Sequence, residues 1–235
     1  MCNAHIIIYV MTPDPKEKSQ TKSKKRVRDH GEVFTAEREV KAMCDLVKDE
    51  TQRIDSRFLE PACGDGNFLA EILKRKLAVV RKKYGKRAAD YEKNAVLAVS
   101  SVYGIDILAD NVQACRARLD GIWEKEYEDV CKKPVPEKVA GAVRFILERN
   151  IVHGNALTMC EVNEEGEDTK VPIVFSEWSF ITGDKMQRND YTLAALMAQQ
   201  AGENKGQLSL FAQEEGDFIK RYIADYREVQ NNGAV

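Results

Sequence analysis

The sequence predicts an α/β fold in which a parallel sheet is flanked by helices. Short apolar runs alternate with longer segments of helical periodicity, and the links between them are short. The stretch "EPACGDGNF" (residues 60–68) places a glycine turn directly between an apolar run and a helix. At 235 residues the chain is long enough for one hydrophobic core with an appendage.

The first half of the chain predicts two helices with a strand between them. Residues 35–50 form a helix in this reading, capped by Thr35 and carrying an apolar stripe. "RFLEP" predicts a short buried strand that Pro61 ends. The helix from Asn67 to Gly85 has its apolar side chains inward and its basic side chains outward.

The second half continues the alternation. In order, we expect a helix at 91–99, the strand "VYGIDI", a long helix capped near Asp110, a helix starting at Pro136, the strand "IVHGNAL" and the apolar run "VPIVFSEWSF". An acidic turn joins this last run to the sheet as its fourth strand. From Asp190 the pattern predicts a helix, a polar linker at "AGENKG" and a last helix from about Gly216, which together form a helical C-terminal tail.

Charge and cysteine usage exclude several classes of protein. The six cysteines are scattered without a CxxC pair and the three histidines stand far apart, which predicts a reducing cytoplasm and no metal site. No apolar stretch is long enough to span a membrane. The net charge is −2, but basic residues concentrate at 16–28 and 74–87. Such patches fit a phosphate-bearing partner, or equally a solvated helix face and a loose arm.

The glycine turn predicts a site for a nucleotide-like cofactor. Gly64 and Gly66 permit a tight turn, and the following helix offers free N–H groups to a ligand. Asp106 ends the next strand, where a carboxylate can accept the hydroxyls of a ribose. A nicotinamide dehydrogenase would have a third glycine where Leu69 stands and its acid about twenty residues on, whereas here the acid lies about forty residues on. Dinucleotide binding is therefore disfavoured.

Four motifs resemble those of S-adenosylmethionine-dependent DNA methyltransferases of the adenine-N6, restriction–modification kind. They are "GEVFTAEREV", where Ala36 replaces the family's proline, "LEPACGDGNFL", "YGIDI" and "NIVHGNAL". The motifs stand in the family's order and cover roughly residues 29–157. The resemblance implies a Rossmann-like methyltransferase fold, S-adenosylmethionine as cofactor and DNA as partner.

The resemblance also implies a set of cofactor-binding residues: Phe34, Thr35, Glu60, Ala62, Gly64, Gly66, Asp106, Ile107 and Asn155. Phe34 and Thr35 would line the methionine end, while Glu60 would face the amino group. Asp106 would bind the ribose, Ile107 would lie against the adenine ring and Asn155 would accept from its amine. The alternative is that Asp106 and Asn155 merely cap strands.

The family's catalytic motif is absent. Amino-methylating enzymes carry Asn- or Asp-Pro-Pro-aromatic after the fourth strand, so that oxygens accept the hydrogens of the adenine amine and a ring holds the flipped base. This sequence has no Pro-Pro. Ser176 or Glu177 is a substitute acceptor and Trp178 a substitute ring; alternatively, Trp178 fills the core and Glu177 caps or points to water. The methyltransferase sheet is also expected to be incomplete.

The segment "QLSLF" resembles the peptide by which bacterial proteins dock on the replication sliding clamp. In that reading Leu208, Leu210 and Phe211 supply the apolar contacts and Gln207 bonds the rim of the pocket. The alternative is an amphipathic turn that folds back onto the core.

These observations predict three regions: a disordered or loose basic arm at 1–28, a methyltransferase-like cofactor-binding domain at 29–190 and a helical tail with the linear motif at 191–235. "AHIIIYVM" near the start is either an edge strand or precedes a true start at Met11. The chain is then a DNA adenine-N6 methyltransferase, complete or completed by a second methyltransferase or restriction subunit. The alternative is a catalytically silent module that holds S-adenosylmethionine and docks on DNA and the clamp; a methyltransferase for a non-DNA substrate is a weaker third.

Overall fold

A computed structural model describes residues 6–8, 35–203 and 218–232 of the chain. Six strands form the first sheet in chain order. The first four are parallel neighbours and the last two are added antiparallel. They are β1 (Ile6–Ile8), β2 (Arg57–Glu60), β3 (Val102–Asp106), β4 (Ile151–Asn155), β5 (Cys160–Val162) and β6 (Asp168–Pro172).

In the part of the chain that the structure describes, six helices lie between the parallel strands along the sequence. They are α1 (Glu37–Leu46), α2 (Lys48–Thr51), α3 (Asn67–Tyr84), α4 (Ala88–Val99), α5 (Ala109–Cys131) and α6 (Glu137–Asn150). A seventh, α7 (Leu193–Glu203), follows later, and a 3-10 turn spans Val229–Asn232. No helix of the described ranges is long and apolar enough to cross a membrane.

A second, antiparallel sheet contains β7 (Val174–Thr182), β8 (Lys185–Thr192) and β9 (Phe218–Asp225), with β8 in the middle. Its first strand and α7 cover the face of the parallel sheet that the helices leave open. Alternate residues of β3 show the two layers: Val102 packs with the helices, while Tyr103 and Ile105 pack with Phe175 and Leu196. Burial on both faces explains why the parallel strands have continuous apolar runs.

The α/β prediction is confirmed, with a sheet that is mixed and not purely parallel. "VPIVFSEWSF" is not the fourth strand of that sheet, because β7 begins the second sheet. Besides β2, β3 and β4, the parallel part of the sheet contains β1. Residues 6–8 of "AHIIIYVM" therefore form an edge strand and do not belong to a loose arm.

The expected last helix of the tail is wrong over residues 218–225. Residues 218–225 form β9, in which half-buried Tyr222 and Ala224 alternate with exposed Arg221 and Ile223. This period of two is that of a strand with one covered face. A boundary at 190/191 would also cut β8 in two, so residues 174–192 and 218–225 belong to one unit.

Two helix starts differ from the sequence prediction. Ala36, not Thr35, is the N-cap of α1, and Leu108, not Asp110, is the N-cap of α5; neither makes a side-chain capping bond. Residues 35–50 are divided between α1 and α2 at Val47.

Lys76 is the exception to the outward basic face of α3. Its side chain is fully buried, and its ammonium donates to the carbonyls of Ile54 and Ser56 and to the Ser101 hydroxyl. Those three acceptors match the three N–H donors of a lysine.

Candidate functional site

The candidate site lies where β2, β3 and β4 end. Glu60, Asp106 and Asn155 are the last residues of these three neighbouring parallel strands. The carboxyl ends of parallel strands meet at one edge of a sheet, and ligands of α/β folds bind at this edge. The three predicted polar side chains therefore belong to one edge.

The glycine loop between β2 and α3 has the backbone that its sequence predicts. Gly64 and Gly66 have φ angles of 53° and 86°, in the left-handed region that favours glycine. A Cβ atom on Gly66 would lie 2.6 Å from the sulfur of Cys115 on α5, so the loop packs directly against that helix. A Cβ on Gly64 would meet nothing within 4 Å, which leaves space beside the loop for a ligand.

Asp106 joins the loop to β3. One carboxylate oxygen accepts the N–H of Gly64 at 2.8 Å, and the other accepts the N–H of Leu108 at 2.9 Å and the amide of Asn111 at 3.3 Å. These contacts are those of the alternative interpretation, in which Asp106 caps its strand. A ribose would share these oxygens with the backbone.

The Glu60 carboxyl at this edge is buried and incompletely hydrogen-bonded. Its side chain is 2% exposed, and Oε2 has no hydrogen-bond partner among the described residues. Burial raises the pKa of this carboxyl to about 8, while the backbone N–H of Ala62 opposes the rise. Glu60 is thus mostly protonated at neutral pH, and a cation placed beside it would favour the charged form.

Arg118 on α5 stabilises the loop, a role that the sequence pattern does not reveal. Its Nη2 lies 2.9 Å from a carboxylate oxygen of Asp65, and its Nη1 donates to the Asn67 side chain at 2.6 Å. One guanidinium thereby joins the loop and the first residue of α3 to α5, across more than fifty residues of sequence.

The Asn155 side chain makes its hydrogen bonds to residues that follow β4. Its amide donates to Asp168 at 2.9 Å, and its side-chain oxygen accepts the N–H of Leu157 at 3.0 Å. The alternative interpretation, that Asn155 caps its strand, describes the structure as it stands.

The remaining predicted cofactor residues come from three separate segments of the chain. Thr35 is half-buried directly before the N-cap of α1, and α1 packs against α3. Ala62 is exposed at the start of the loop, and Ile107 follows Asp106. Phe34 lies outside the described residues.

Ser176, Glu177 and Trp178 do not join this site, which corrects the hypothesis of a substitute catalytic site; Trp178 is buried in the hydrophobic core, as its alternative interpretation predicts. The Ser176 hydroxyl donates to Asp190 at 2.7 Å, the Trp178 indole donates to Asn150 at 2.9 Å, and Glu177 pairs with Arg57. Arg57 begins β2 and Asn150 directly precedes β4, so these contacts lie at the opposite, amino edge of the sheet. The physical reason is that β7 packs its polar groups against that edge.

The exposed basic residues of α3 also lie away from the loop. Lys82, Lys83 and Lys86 are exposed at or just after the C-terminal end of the helix. An 18-residue helix is roughly 27 Å long, and α3 begins at the loop. This part of the basic patch is therefore far from the glycine turn.

Two further predictions fall outside the described residues. The first is the basic arm beyond Ile8, and the second is the clamp-like segment with Gln207, Leu208, Leu210 and Phe211. Over the described ranges, no cluster of three or more His, Cys, Asp or Glu side chains could hold a metal ion.

No protein-family model, curated protein or solved structure matches the chain.

Proposed function

We propose that the chain binds S-adenosylmethionine at the carboxyl edge of β2, β3 and β4, in a Rossmann-like methyltransferase fold. The observation that carries the proposal is the buried Glu60 carboxyl with its unpartnered oxygen, placed beside a left-handed glycine loop. A buried polar atom without a partner indicates a missing ligand or water. The ammonium group of the methionine moiety is a donor that suits this oxygen.

The charge of the edge favours such a ligand over a pyrophosphate. The N–H of Gly64 already donates to the Asp106 carboxylate, so it is not free to bind a phosphate oxygen. Carboxyl groups also end both β2 and β3. A pyrophosphate would meet the negative charge of Asp106 and would oppose ionisation of Glu60, whereas a ligand with a sulfonium and an ammonium would favour both carboxylates.

In this proposal the chain is a DNA methyltransferase-like module whose transfer to adenine-N6 depends on a second polypeptide. The adenine amine needs two acceptors and an aromatic ring to hold the flipped base. Ser176, Glu177 and Trp178 have other partners, so they are not available for this task. A partner with an Asn-Pro-Pro-aromatic segment would supply it.

DNA and the sliding clamp remain proposed partners. Lys82, Lys83 and Lys86 offer exposed charge to phosphates, which would provide affinity without sequence selection. "QLSLF" would attach the module to the clamp through Leu210 and Phe211.

The test is a calorimetric comparison of S-adenosylhomocysteine with NAD⁺ on the full chain. We expect binding of the first ligand only, and Glu60→Gln should weaken it because glutamine cannot carry the carboxylate charge. Glu161→Gln is the matched control, since Glu161 is an exposed carboxylate on β5. Binding of NAD⁺ alone, or equal affinity in wild type and Glu60→Gln, would overturn the assignment.

A further inference from the structure

His153 lies beside Asp106 at the candidate site. The two residues are partners in the register between β3 and β4, so their strands place them next to each other at the carboxyl edge. Adjacent strands are about 4.8 Å apart. The His153 side chain is half-buried.

The His153 ring is bonded to the link between β3 and α5. Its Nε2 is 3.0 Å from the carbonyl oxygen of Ile107. A carbonyl oxygen only accepts, so Nε2 carries the hydrogen in this contact. The next residue, Leu108, donates its N–H to Asp106.

The two-residue link is therefore held from both sides. His153 fixes the carbonyl of Ile107, and Asp106 fixes the N–H of Leu108. The link determines where α5 starts, and α5 carries the Cys115 and Arg118 side chains that contact the glycine loop. A free Ile107 carbonyl would allow the link to turn and would alter the position of the Asp106 carboxylate.

We propose that His153 is a positioning residue for the nucleoside end of the ligand, acting through the Ile107 carbonyl. This inference rests on the proposed function. His153 does not touch the reacting atoms in this account. It holds the segment against which the adenosine part binds.

The position of His153 in the sheet separates its effect from that of Glu60. His153 is on β4 and Glu60 is on β2, with β3 between them. Two strand spacings place their backbones about 10 Å apart. Loss of His153 should therefore weaken the adenosine contacts, and loss of Glu60 should weaken the amino-acid contacts.

The experiment measures the affinity of the full chain for S-adenosylhomocysteine and for adenosine. His153→Ala should weaken both ligands by a similar factor, about fivefold to tenfold for one lost hydrogen bond. His153→Gln keeps an N–H donor and should remain within about twofold of wild type. Glu60→Gln should weaken S-adenosylhomocysteine but not adenosine, and Glu161→Gln is the control.

The outcomes distinguish the two proposals. If wild type binds neither ligand, the proposed function fails and this inference fails with it. If wild type binds both and His153→Ala binds both equally well, only the role of His153 is overturned. A loss confined to S-adenosylhomocysteine also overturns it, because that pattern belongs to the amino-acid end.

A second measurement uses only the wild-type chain, so it does not depend on whether a variant folds. In ¹⁵N-histidine spectra of the wild-type chain, His153 should be the Nε2–H tautomer and its signal should change when adenosine is added. An Nδ1–H tautomer would overturn the proposal, because that ring could not donate to the Ile107 carbonyl.

Discussion

Asp106 accepts the backbone N–H of Gly64 at 2.8 Å, so the last residue of β3 holds the loop that follows β2. This contact joins two segments that are separated by 42 residues. It also fixes the carboxylate that would meet a ribose. Loop shape and the proposed ligand binding would thus be coupled through one side chain.

Replacing Asp106 should reduce stability and ligand affinity together. Asp106→Ala leaves the N–H groups of Gly64 and Leu108 without their acceptor in a mostly buried position. We expect a loss of about 2 kcal/mol or more in the free energy of unfolding. S-Adenosylhomocysteine should bind at least tenfold more weakly, given about 1.5–3 kcal/mol for a charge-assisted hydrogen bond. Urea unfolding and calorimetry measure the two effects; unchanged affinity would remove Asp106 from the site.

Glu60 should make the ligand-free chain less stable as the pH rises. Its folded pKa of about 8 is above the ordinary value of 4.5, so the folded state holds a proton that the unfolded state releases. This contribution is fully present below pH 4.5 and is lost as the pH rises through about 8. Between pH 5 and pH 9 the stability of wild type relative to Glu60→Gln should fall by on the order of 3 kcal/mol. If the difference in free energy of unfolding between the two proteins does not change with pH in urea titrations, the pKa of Glu60 is not raised in the folded state.

Ligand binding should release the Glu60 proton. The ammonium of S-adenosylhomocysteine would favour the carboxylate and lower its pKa from about 8. Calorimetry at pH 7 in two buffers of different ionisation enthalpy should show release of up to about one proton from wild type. Glu60→Gln should show none. The same proton count in both proteins would mean that another group titrates.

Arg118 should matter more for binding than for folding. Its guanidinium is partly exposed, so Arg118→Ala should cost only about 0.5–1 kcal/mol of stability. The Asp65 carboxylate and the Asn67 side chain would then be free to move, and S-adenosylhomocysteine affinity should fall several-fold. Arg144→Ala, which removes two partly exposed ion pairs away from the loop, is the control. Equal affinities for the two variants would remove Arg118 from the support of the loop.

The linear motif has its own test. Replacing Leu210 and Phe211 by alanine should abolish capture of the chain by immobilised sliding clamp, because these side chains would supply the apolar contacts. Ligand affinity should not change, since the proposed cofactor contacts include no residue of the motif. Equal retention of the two proteins by the clamp would end the docking proposal.

Local pattern was sufficient to predict the loop and its strands. Gly64 and Gly66 stand between an apolar run and a helix, a pattern that favours a tight turn, and both adopt the left-handed backbone that glycine tolerates. Contacts between segments that are distant in the sequence could not be predicted from local sequence patterns. The helical spacing of Lys76 is that of a buried position, but a charged side chain predicts an exposed one. The atoms that accept its hydrogen bonds come from the segments before β2 and β3.

The second sheet shows the same limit. Trp178 and Glu177 have the chemistry of a base-binding site, but their partners Asn150 and Arg57 are set by the packing of β7 on the amino edge. Sequence spacing carries no information about that edge. The sequence predicts a helix where β9 forms, because the pairing of β9 with β8 is decided by tertiary contact.

The most direct test of the account is incubation of the purified chain with methyl-labelled S-adenosylmethionine and unmethylated bacterial DNA, with bound and transferred label scored together. We expect that label is bound by wild type, is reduced in Asp106→Ala and Glu60→Gln, and is not transferred by this chain alone. Label recovered in N6-methyladenine would contradict the proposal that transfer needs a second polypeptide. Ser176, Glu177 and Trp178 would then again be candidate catalytic residues. The absence of any bound label would contradict the cofactor site itself.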